Sequence, residues 1–218
     1  MTEWPLLRDV PEDEIRHVLQ IARDRRFRRN ELVFHRDDPA DTLHLIRVGR
    51  FAVTLPAPRD TVMLAVLGPG ETFGELALVD DEARSATVVA LEDARTWSVH
   101  KIDFGRLKRK HPGVNEVLLA LLAGQVRRLS ARVAEALYVP APKRVRLHVY
   151  QLARAYADGE AAPVVPLTQE TIGQLAGTSR AQVNEVLRQE AAAGVLEVGR
   201  GKIRVVDLEG LARRVGAP

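Results

Sequence analysis

The sequence contains no cysteine and no long hydrophobic run. Without cysteine the chain can form no disulfide, no thiolate zinc site and no cysteine-ligated iron–sulfur cluster. No apolar stretch approaches the roughly 18 residues that a membrane-spanning helix needs. The segment Met1–Pro5 has neither a basic leader nor an apolar signal sequence. We therefore expect a cytoplasmic protein that has no membrane partner.

Familiar catalytic and metal-binding motifs are absent as well. The chain has no Gly-x-Ser-x-Gly elbow, no His-Glu-x-x-His pair and no phosphate-binding P-loop. Its six histidines lack the spacing of metal ligands, so we expect surface or partly buried roles for them. The sequence therefore predicts a protein that is not an enzyme and holds no metal.

The length and the charge distribution limit the number of domains and the class of partner. A chain of 218 residues can form one large domain or two modest ones, with a sizeable core. Basic and acidic residues balance over residues 1–138, so the formal net charge of +3 lies within residues 139–218. A basic excess confined to one segment weakly favours a polyanionic partner.

A glycine-rich stretch, Gly68–Val89, brings groups of opposite charge close together in the sequence. Its glycines let the backbone approach a ligand, and Arg84 can donate two parallel hydrogen bonds to a phosphate. Ser85 can add a donor. Glu75 would repel that phosphate unless its carboxylate accepts a hydrogen bond from a hydroxyl group, as the 2′-OH of a ribose would provide. The stretch therefore fits a 3′,5′-cyclic nucleotide, whereas a surface turn with a Glu75–Arg84 salt bridge is the alternative.

Short β segments separated by turns surround this stretch, and they predict a small barrel or sandwich. Before them we expect a helix over Pro11–Ala22 and a solvated, arginine-rich connector over Arg23–Arg29. A nucleic-acid-binding segment is the alternative for Arg23–Arg29, although Asp24 interrupts its basic run. Within them, a short helix over Glu75–Leu78 would direct its first N–H groups at the anion. The candidate strands are Leu32–Phe34, Thr42–Val48, Phe51–Leu55, Val62–Leu67, Thr87–Leu91 and Arg95–His100.

One long helix is predicted from Pro112 to about Leu137, because apolar residues recur there at intervals of three and four. Its length and wide apolar stripe favour pairing with a second copy of the helix over packing on its own domain alone. Proline cannot continue the helical hydrogen-bond ladder, so Val139–Pro142 marks a domain boundary. Another amphipathic helix is expected over Lys143–Ala157.

The next segment has the pattern of a DNA-binding helix-turn-helix. Thr168 begins a short helix, Gly177 turns the chain, and a second helix starts near Arg180 with its polar face free. A β-hairpin with a basic tip follows and suits a wing that contacts phosphates. Arg180 is the best candidate for reading guanine. The predicted DNA-binding residues are Thr168, Gln169, Ser179, Arg180, Gln182, Asn184, Arg200 and Lys202.

Two of these segments resemble one known family. Phe73–Leu76 (FGEL), followed by Arg84–Ala86 (RSA), resembles the phosphate-binding cassette of cyclic nucleotide-binding domains. Thr168–Arg180 (TQETIGQLAGTSR) closely resembles the helix-turn-helix of the cyclic AMP receptor protein (CRP/FNR) family of bacterial transcription factors. The resemblance implies an α+β fold with a β-roll domain over residues 1–111, a dimerisation helix over 112–138 and a winged helix-turn-helix over 139–218.

The same resemblance implies a ligand site. Arg84 and Ser85 would hold the cyclic phosphate, and Glu75 would bind the ribose 2′-OH. Leu129 and Ser130 stand where cyclic AMP-responsive relatives carry a Thr-Ser pair that reads the adenine, but leucine cannot hydrogen-bond. The family resemblance still makes cyclic AMP the predicted effector, and the loss of this hydrogen bond leaves cyclic GMP as an alternative. The implied ligand-binding residues are Gly74, Glu75, Leu76, Arg84, Ser85, Ala86, Leu129 and Ser130.

By resemblance, the chain is a ligand-gated transcription regulator that binds pseudo-palindromic double-stranded DNA as a homodimer, with RNA polymerase as a further partner. A family regulator with another effector or none, and a cyclic-nucleotide-binding module for an enzyme, remain alternatives. The sequence departs from the family pattern at Ala181 and Glu185, where the best-known relatives read bases with a glutamate and an arginine. It also departs at Arg36–Asp38, where relatives commonly carry a glycine in the turn.

Overall fold

The computed structural model describes residues 11–57, 61–157 and 160–216, and Met1–Pro5 therefore lies outside the described residues. The predicted α+β fold is confirmed, with a β-roll, a long helix and a helix-turn-helix in that order. The chain divides into two compact units, and the division along the long helix falls between Ser130 and Ala131. The three predicted domain ranges stay a prediction.

Eight strands form the β-roll within the described residues, and they make two four-stranded sheets. The strand orders are β1-β8-β3-β6 and β2-β7-β4-β5. The strands are β1 (Arg23–Phe27), β2 (Leu32–Phe34), β3 (Thr42–Val48), β4 (Phe51–Pro56), β5 (Thr61–Leu67), β6 (Thr72–Phe73), β7 (Thr87–Ala90) and β8 (Ala94–His100).

The helices agree with the sequence pattern except for two that it did not predict, α2 and α7. No helix in the described ranges is long and apolar enough to cross a membrane. The helices are α1 (Glu12–Gln20), α2 (Lys101–Lys110), α3 (Asn115–Tyr138), α4 (Ala141–Ala155), α5 (Gln169–Ala176), α6 (Arg180–Ala192) and α7 (Leu208–Val215).

Strand β3 is central to the β-roll, because it contributes side chains to two hydrophobic clusters. One cluster joins the sheet to the helices and contains Val18, Leu43, Leu45, Val99, Phe104 and Leu121. The other joins strands of both sheets and contains Phe27, Ile46, Phe51, Phe73 and Val88. Strand β3 therefore lies at the centre of the β-roll, and its first residue, Thr42, is part of the candidate site.

The prediction of a solvated connector at Arg23–Arg29 is wrong, because Arg23–Phe27 forms β1 and pairs antiparallel with β8. The strand lies at the edge of its sheet, so its four leading side chains are exposed while Phe27 is buried. Asp24 accepts hydrogen bonds from Arg47 and Arg95 at 3.1 and 2.9 Å. A charged run is compatible with a strand here because the backbone is paired while the long side chains reach water.

The predicted helix break at the two prolines is confirmed, although it is shorter than expected. Helix α3 ends at Tyr138 and α4 already begins at Ala141. Pro142 lies in the first turn of α4, where the missing N–H has no intrahelical partner to lose. Only Val139 and Pro140 separate the two helices.

The second unit has the winged helix-turn-helix architecture. Strands β9 (Val164–Val165), β10 (Leu196–Gly199) and β11 (Lys202–Val205) form a small sheet in the order β10-β11-β9. Gly177 adopts a left-handed conformation (φ 59°) between α5 and α6, and the N–H of Thr178 donates to the carbonyl of Gly173 at 3.0 Å. Strands β10 and β11 pair antiparallel as the predicted hairpin.

A buried carboxylate of α6 forms ion pairs with arginines of two neighbouring helices. The side chain of Glu190 is only 2% exposed. It pairs with Arg146 of α4 at 2.6 Å and with Arg214 of α7 at 3.2 Å. Burying a charge is costly unless it is paired, so the two arginines stabilise the packing of α6 against α4 and α7.

We predict that Arg146→Met destabilises the protein because it removes one of the two partners of the buried Glu190. Removing a partner from a fully buried pair costs about 3–5 kcal/mol, and we expect about 2 kcal/mol because Arg214 remains and both arginines partly reach water. The free energy of unfolding is measured in urea. Arg154→Met, at an exposed position of the same helix, is the matched control, and an equal loss in both variants would contradict the assigned role.

Candidate functional site

The backbone of Arg84 is fixed by a turn that contains no glycine. The N–H of Asp37 donates to the carbonyl of Arg84, and the N–H of Arg84 donates to the carbonyl of Asp38, both at 2.9 Å. Asp37 has a φ of 69°, and aspartate tolerates this left-handed region better than most residues. The N–H of His35 donates to Oδ2 of Asp38 at 2.7 Å. The departure from the family pattern at this turn therefore still allows the turn to form.

The guanidinium group of Arg84 is buried and bound mainly by neutral oxygens. Nη1 donates to the carbonyl of Thr42 at 2.7 Å, and Nη2 donates to its hydroxyl at 2.8 Å. Cζ lies 4.0 Å from the ring centroid of Phe34, and the half-exposed Asp41 contributes a carboxylate oxygen at 3.4 Å. The remaining donor, Nε, is buried and has no hydrogen-bond partner in the part of the chain that the structure describes.

Gly74 is required beside this arginine by both conformation and space. It has a φ of 80° and precedes a single turn of 3-10 helix over Glu75–Leu78. A Cβ at this position would lie 2.7 Å from the carbonyl oxygen of Thr42 and 2.8 Å from Nη1 of Arg84. Any side chain would therefore collide with the arginine and its main acceptor.

Glu75 places a buried carboxyl group in the same region of the β-roll. Burial raises the pKa of Glu75. A backbone N–H and the charges of Arg128 and Arg84 lower this pKa, but burial has the larger effect. Among the ion pairs of the described ranges, the carboxylate paired with Arg84 is Asp41, so the simple Glu75–Arg84 salt bridge does not form. The carboxyl group of Glu75 is therefore buried without an ion pair to Arg84 in the described ranges.

Arg128 of α3 is a residue that the sequence did not single out. Its charge lowers the pKa of Glu75 and also that of Glu71, whose pKa is raised overall by burial. Nη2 of Arg128 donates to Oε1 of Gln125 at 2.7 Å. The long helix therefore presents a cation to one buried and one partly buried carboxyl group of the β-roll.

His44 is buried next to the arginine as a neutral ring. Burial, together with the nearby charge of Arg84, lowers the pKa of His44 to about 3. Its Nδ1 lies 3.0 Å from the hydroxyl of Thr96, and its ring stacks on Phe73 with centroids 4.8 Å apart. His44 and His148 are both buried, so the prediction of surface or partly buried histidines is wrong for these two.

The remaining predicted ligand residues differ in exposure. Ala86 is buried, whereas the other four have exposed side chains, two near the cassette and two on α3. These exposed residues are Leu76, Ser85, Leu129 and Ser130. No three His, Asp or Glu side chains in the described ranges come together as a metal site requires.

The predicted DNA-binding residues occupy helix starts and the tip of the hairpin. The hydroxyl of Thr168 accepts from the N–H of Thr171 at 3.1 Å, and that of Ser179 accepts from the N–H of Gln182 at 3.2 Å. These bonds cap α5 and α6. The other predicted residues are either exposed (Arg180, Asn184, Arg200 and Lys202) or partly exposed (Gln169 and Gln182).

Two arginines that the sequence did not single out hold the end of α5. Nη2 of Arg132 donates to the carbonyl of Leu175 at 2.9 Å. Arg144 donates from Nε to the carbonyl of Ala176 at 2.8 Å and from Nη2 to that of Gly177 at 3.1 Å. The last carbonyls of a helix lack internal partners and carry its negative dipole end, so cations suit them. The turn that leads into α6 is thereby anchored.

Comparison with known proteins matches both units. Residues 24–111 match the family model of the cyclic nucleotide-binding domain, and residues 131–214 match that of the Crp-like helix-turn-helix domain. A CRP-like cAMP-activated global transcriptional regulator of Mycobacterium tuberculosis is 32% identical over 193 residues, which cover 86% of each chain. A cyclic AMP receptor protein of Thermus thermophilus is 32% identical over 204 residues, which cover 92% of each chain.

Solved structures agree with this fold. The catabolite activator protein of Thermus thermophilus is 29% identical, with a TM-score of 0.54 over 97% of this chain and 98% of that one. FixK2 from Bradyrhizobium japonicum reaches a TM-score of 0.77 over 91% of this chain and 99% of its own, at 20% identity. The second likeness concerns the fold alone.

We predict that Gly74→Ala both destabilises the protein and displaces Arg84. The left-handed conformation alone costs an alanine about 1–2 kcal/mol, and the contacts with Thr42 and Arg84 add to this. Gly194→Ala is the control, because Gly194 has a φ of 72° with nothing within 4 Å of its added Cβ. Thermal melts of both variants separate the two contributions, and equal losses would show that the space beside Arg84 is not limiting.

Proposed function

We propose that this chain, which belongs to the CRP/FNR family of DNA-binding transcription regulators, binds a cyclic nucleotide at Arg84 and Glu75 and thereby controls its binding to DNA. Family membership follows from two relatives that are 32% identical over most of their length. The observation that carries the ligand proposal is the buried Arg84, whose Nε has no partner among the described residues. An anionic phosphate supplies both the acceptor and the charge.

The ligand chemistry follows from the two buried groups. The cyclic phosphate accepts from Arg84 and Ser85, while the ribose 2′-OH donates to Glu75. Gly74, Leu76 and Ala86 contribute backbone groups, and Leu129 and Ser130 of α3 lie against the base. Both relatives are named for cyclic AMP, which supports cyclic AMP as the effector. Cyclic GMP remains the competitor because Leu129 cannot read the adenine amino group.

The exposed face of α3 supports a homodimer. Leu119, Val126 and Val133 recur every seven residues, and each side chain is more than half exposed. Leu129 occupies the intervening position and is 48% exposed. Valine at two of these three positions, with leucine at the intervening position, favours a parallel two-stranded coiled coil. A second copy of α3 would cover this stripe.

A twofold dimer determines the kind of DNA site. Its two α6 helices enter successive major grooves, so we expect a pseudo-palindromic site with half-sites about 34 Å apart. Arg180, Gln182 and Asn184 face the bases. The capping residues and the wing contact phosphates, through Thr168, Gln169, Ser179, Arg200 and Lys202. Such a regulator acts in the cytoplasm with RNA polymerase as its partner.

Calorimetric titration with cyclic AMP and cyclic GMP, combined with DNA binding with and without each ligand, tests this function. We expect Arg84→Ala to abolish cyclic nucleotide binding, because the phosphate then loses its counter-charge. Arg36→Ala, at an exposed position, should bind normally. Circular dichroism confirms folding, and Arg84→Lys, which keeps the charge, should retain weak binding. Unchanged affinity in Arg84→Ala would overturn the site, and ligand binding without effect on DNA affinity would overturn the gating.

A second prediction isolates the ribose contact. Glu75→Ala should weaken cyclic AMP binding by about 1.5–3 kcal/mol, the typical contribution of a hydrogen bond to a charged group. The same variant should bind 2′-deoxy cyclic AMP as the wild type does, because that ligand lacks the hydroxyl. Glu82→Ala, at an exposed position, is the control. An equal loss for both ligands would mean that Glu75 does not bind the 2′-OH.

A further inference from the structure

The side-chain amide of Gln182 is held by the turn that precedes its helix. Gln182 is the third residue of α6, and its N–H donates to the hydroxyl of Ser179 at 3.2 Å. The hydroxyl of Thr178 donates to Oε1 of Gln182. Because Oε1 accepts this hydrogen bond, the amide lies with Oε1 toward the turn and Nε2 away from it.

Thr178 is itself well fixed, so it can impose this orientation. Its N–H donates to the carbonyl of Gly173 at 3.0 Å, directly after Gly177 in its left-handed conformation. Its side chain is partly buried and lines a shallow surface depression together with Ser179 and Arg180. The hydroxyl of Thr178 therefore has a defined position relative to the start of α6.

The orientation changes what Gln182 can read in the major groove. A free glutamine pairs with adenine through both halves of its amide, accepting from N6 and donating to N7. Because Oε1 is bound to Thr178 and lies toward the turn, Nε2 with its two N–H donors is the end of the amide that remains for a base. Guanine presents two acceptors, O6 and N7, on the same edge, whereas cytosine presents a donor.

We propose that Thr178 is a positioning residue that makes Gln182 a donor-only reader, selective for guanine over adenine at one position of the half-site. The inference rests on the proposed DNA-binding role of α6 and adds the specificity of one of its contacts. The selectivity arises from a residue in the turn, which need not touch the base.

To test this, the full chain with cyclic AMP selects DNA from a library in which the half-site is randomised. Affinities are then measured for sites that differ from the selected one at single bases. Gln182→Ala identifies the position that Gln182 reads. At that position Thr178→Val, which keeps the shape but removes the hydroxyl, should lower the guanine-to-adenine preference by about tenfold, within the range of one good base contact. Thr178→Ser, which keeps the hydroxyl, should retain the preference.

Several outcomes would overturn the inference. These are an unchanged preference in Thr178→Val, a wild-type preference for adenine or cytosine at the Gln182 position, and a uniform loss over all sequences in Gln182→Ala. Arg180→Ala separates this failure from that of the proposed function, because it should relax a different base position in every case. Binding without any sequence preference, in the wild type and all variants, would overturn the proposed function itself.

Discussion

The buried guanidinium group of Arg84 is the constraint on which the β-roll site depends. The turn at Asp37–Asp38 fixes its backbone, Thr42 accepts from its terminal nitrogens, and Gly74 lacks a side chain so that it fits. A buried charge needs a partner of opposite charge, and among the ion pairs of the described ranges Arg84 has the half-exposed Asp41. The fold therefore keeps a buried cation whose hydrogen bonds go mainly to the neutral oxygens of Thr42.

In the second unit, polar groups rather than apolar packing alone place α6. Glu190 binds it to α4 and α7, while Arg132 and Arg144 hold the end of α5 through its carbonyl groups. Such interactions are directional and leave few alternative arrangements for the turn between α5 and α6. A helix that contacts bases needs a well-defined position, because a hydrogen-bond donor that is misplaced no longer reaches its acceptor.

The sequence predicted groups that are local in the chain and missed groups that are distant. Gly74, Glu75 and Arg84 lie within one stretch, and the sequence identified them as one cluster. Thr42 is a common residue 42 positions from Arg84, and its acceptor is partly a backbone carbonyl, which has no sequence signature. Arg144 was missed for the same reason, since its partners are carbonyl groups. The residue assignments for the ligand and DNA remain predictions.

The short joint between α3 and α4 has a mechanical consequence. Proline fixes φ at Pro140 and disfavours helical torsions at Val139, whose carbonyl is also bound by Arg144 at 2.7 Å. The backbone torsions of the connection are therefore restricted on both sides of the Val139–Pro140 bond. The last turns of α3 belong to the same compact unit as α6, and this restricted connection limits the angles at which α4 can leave α3.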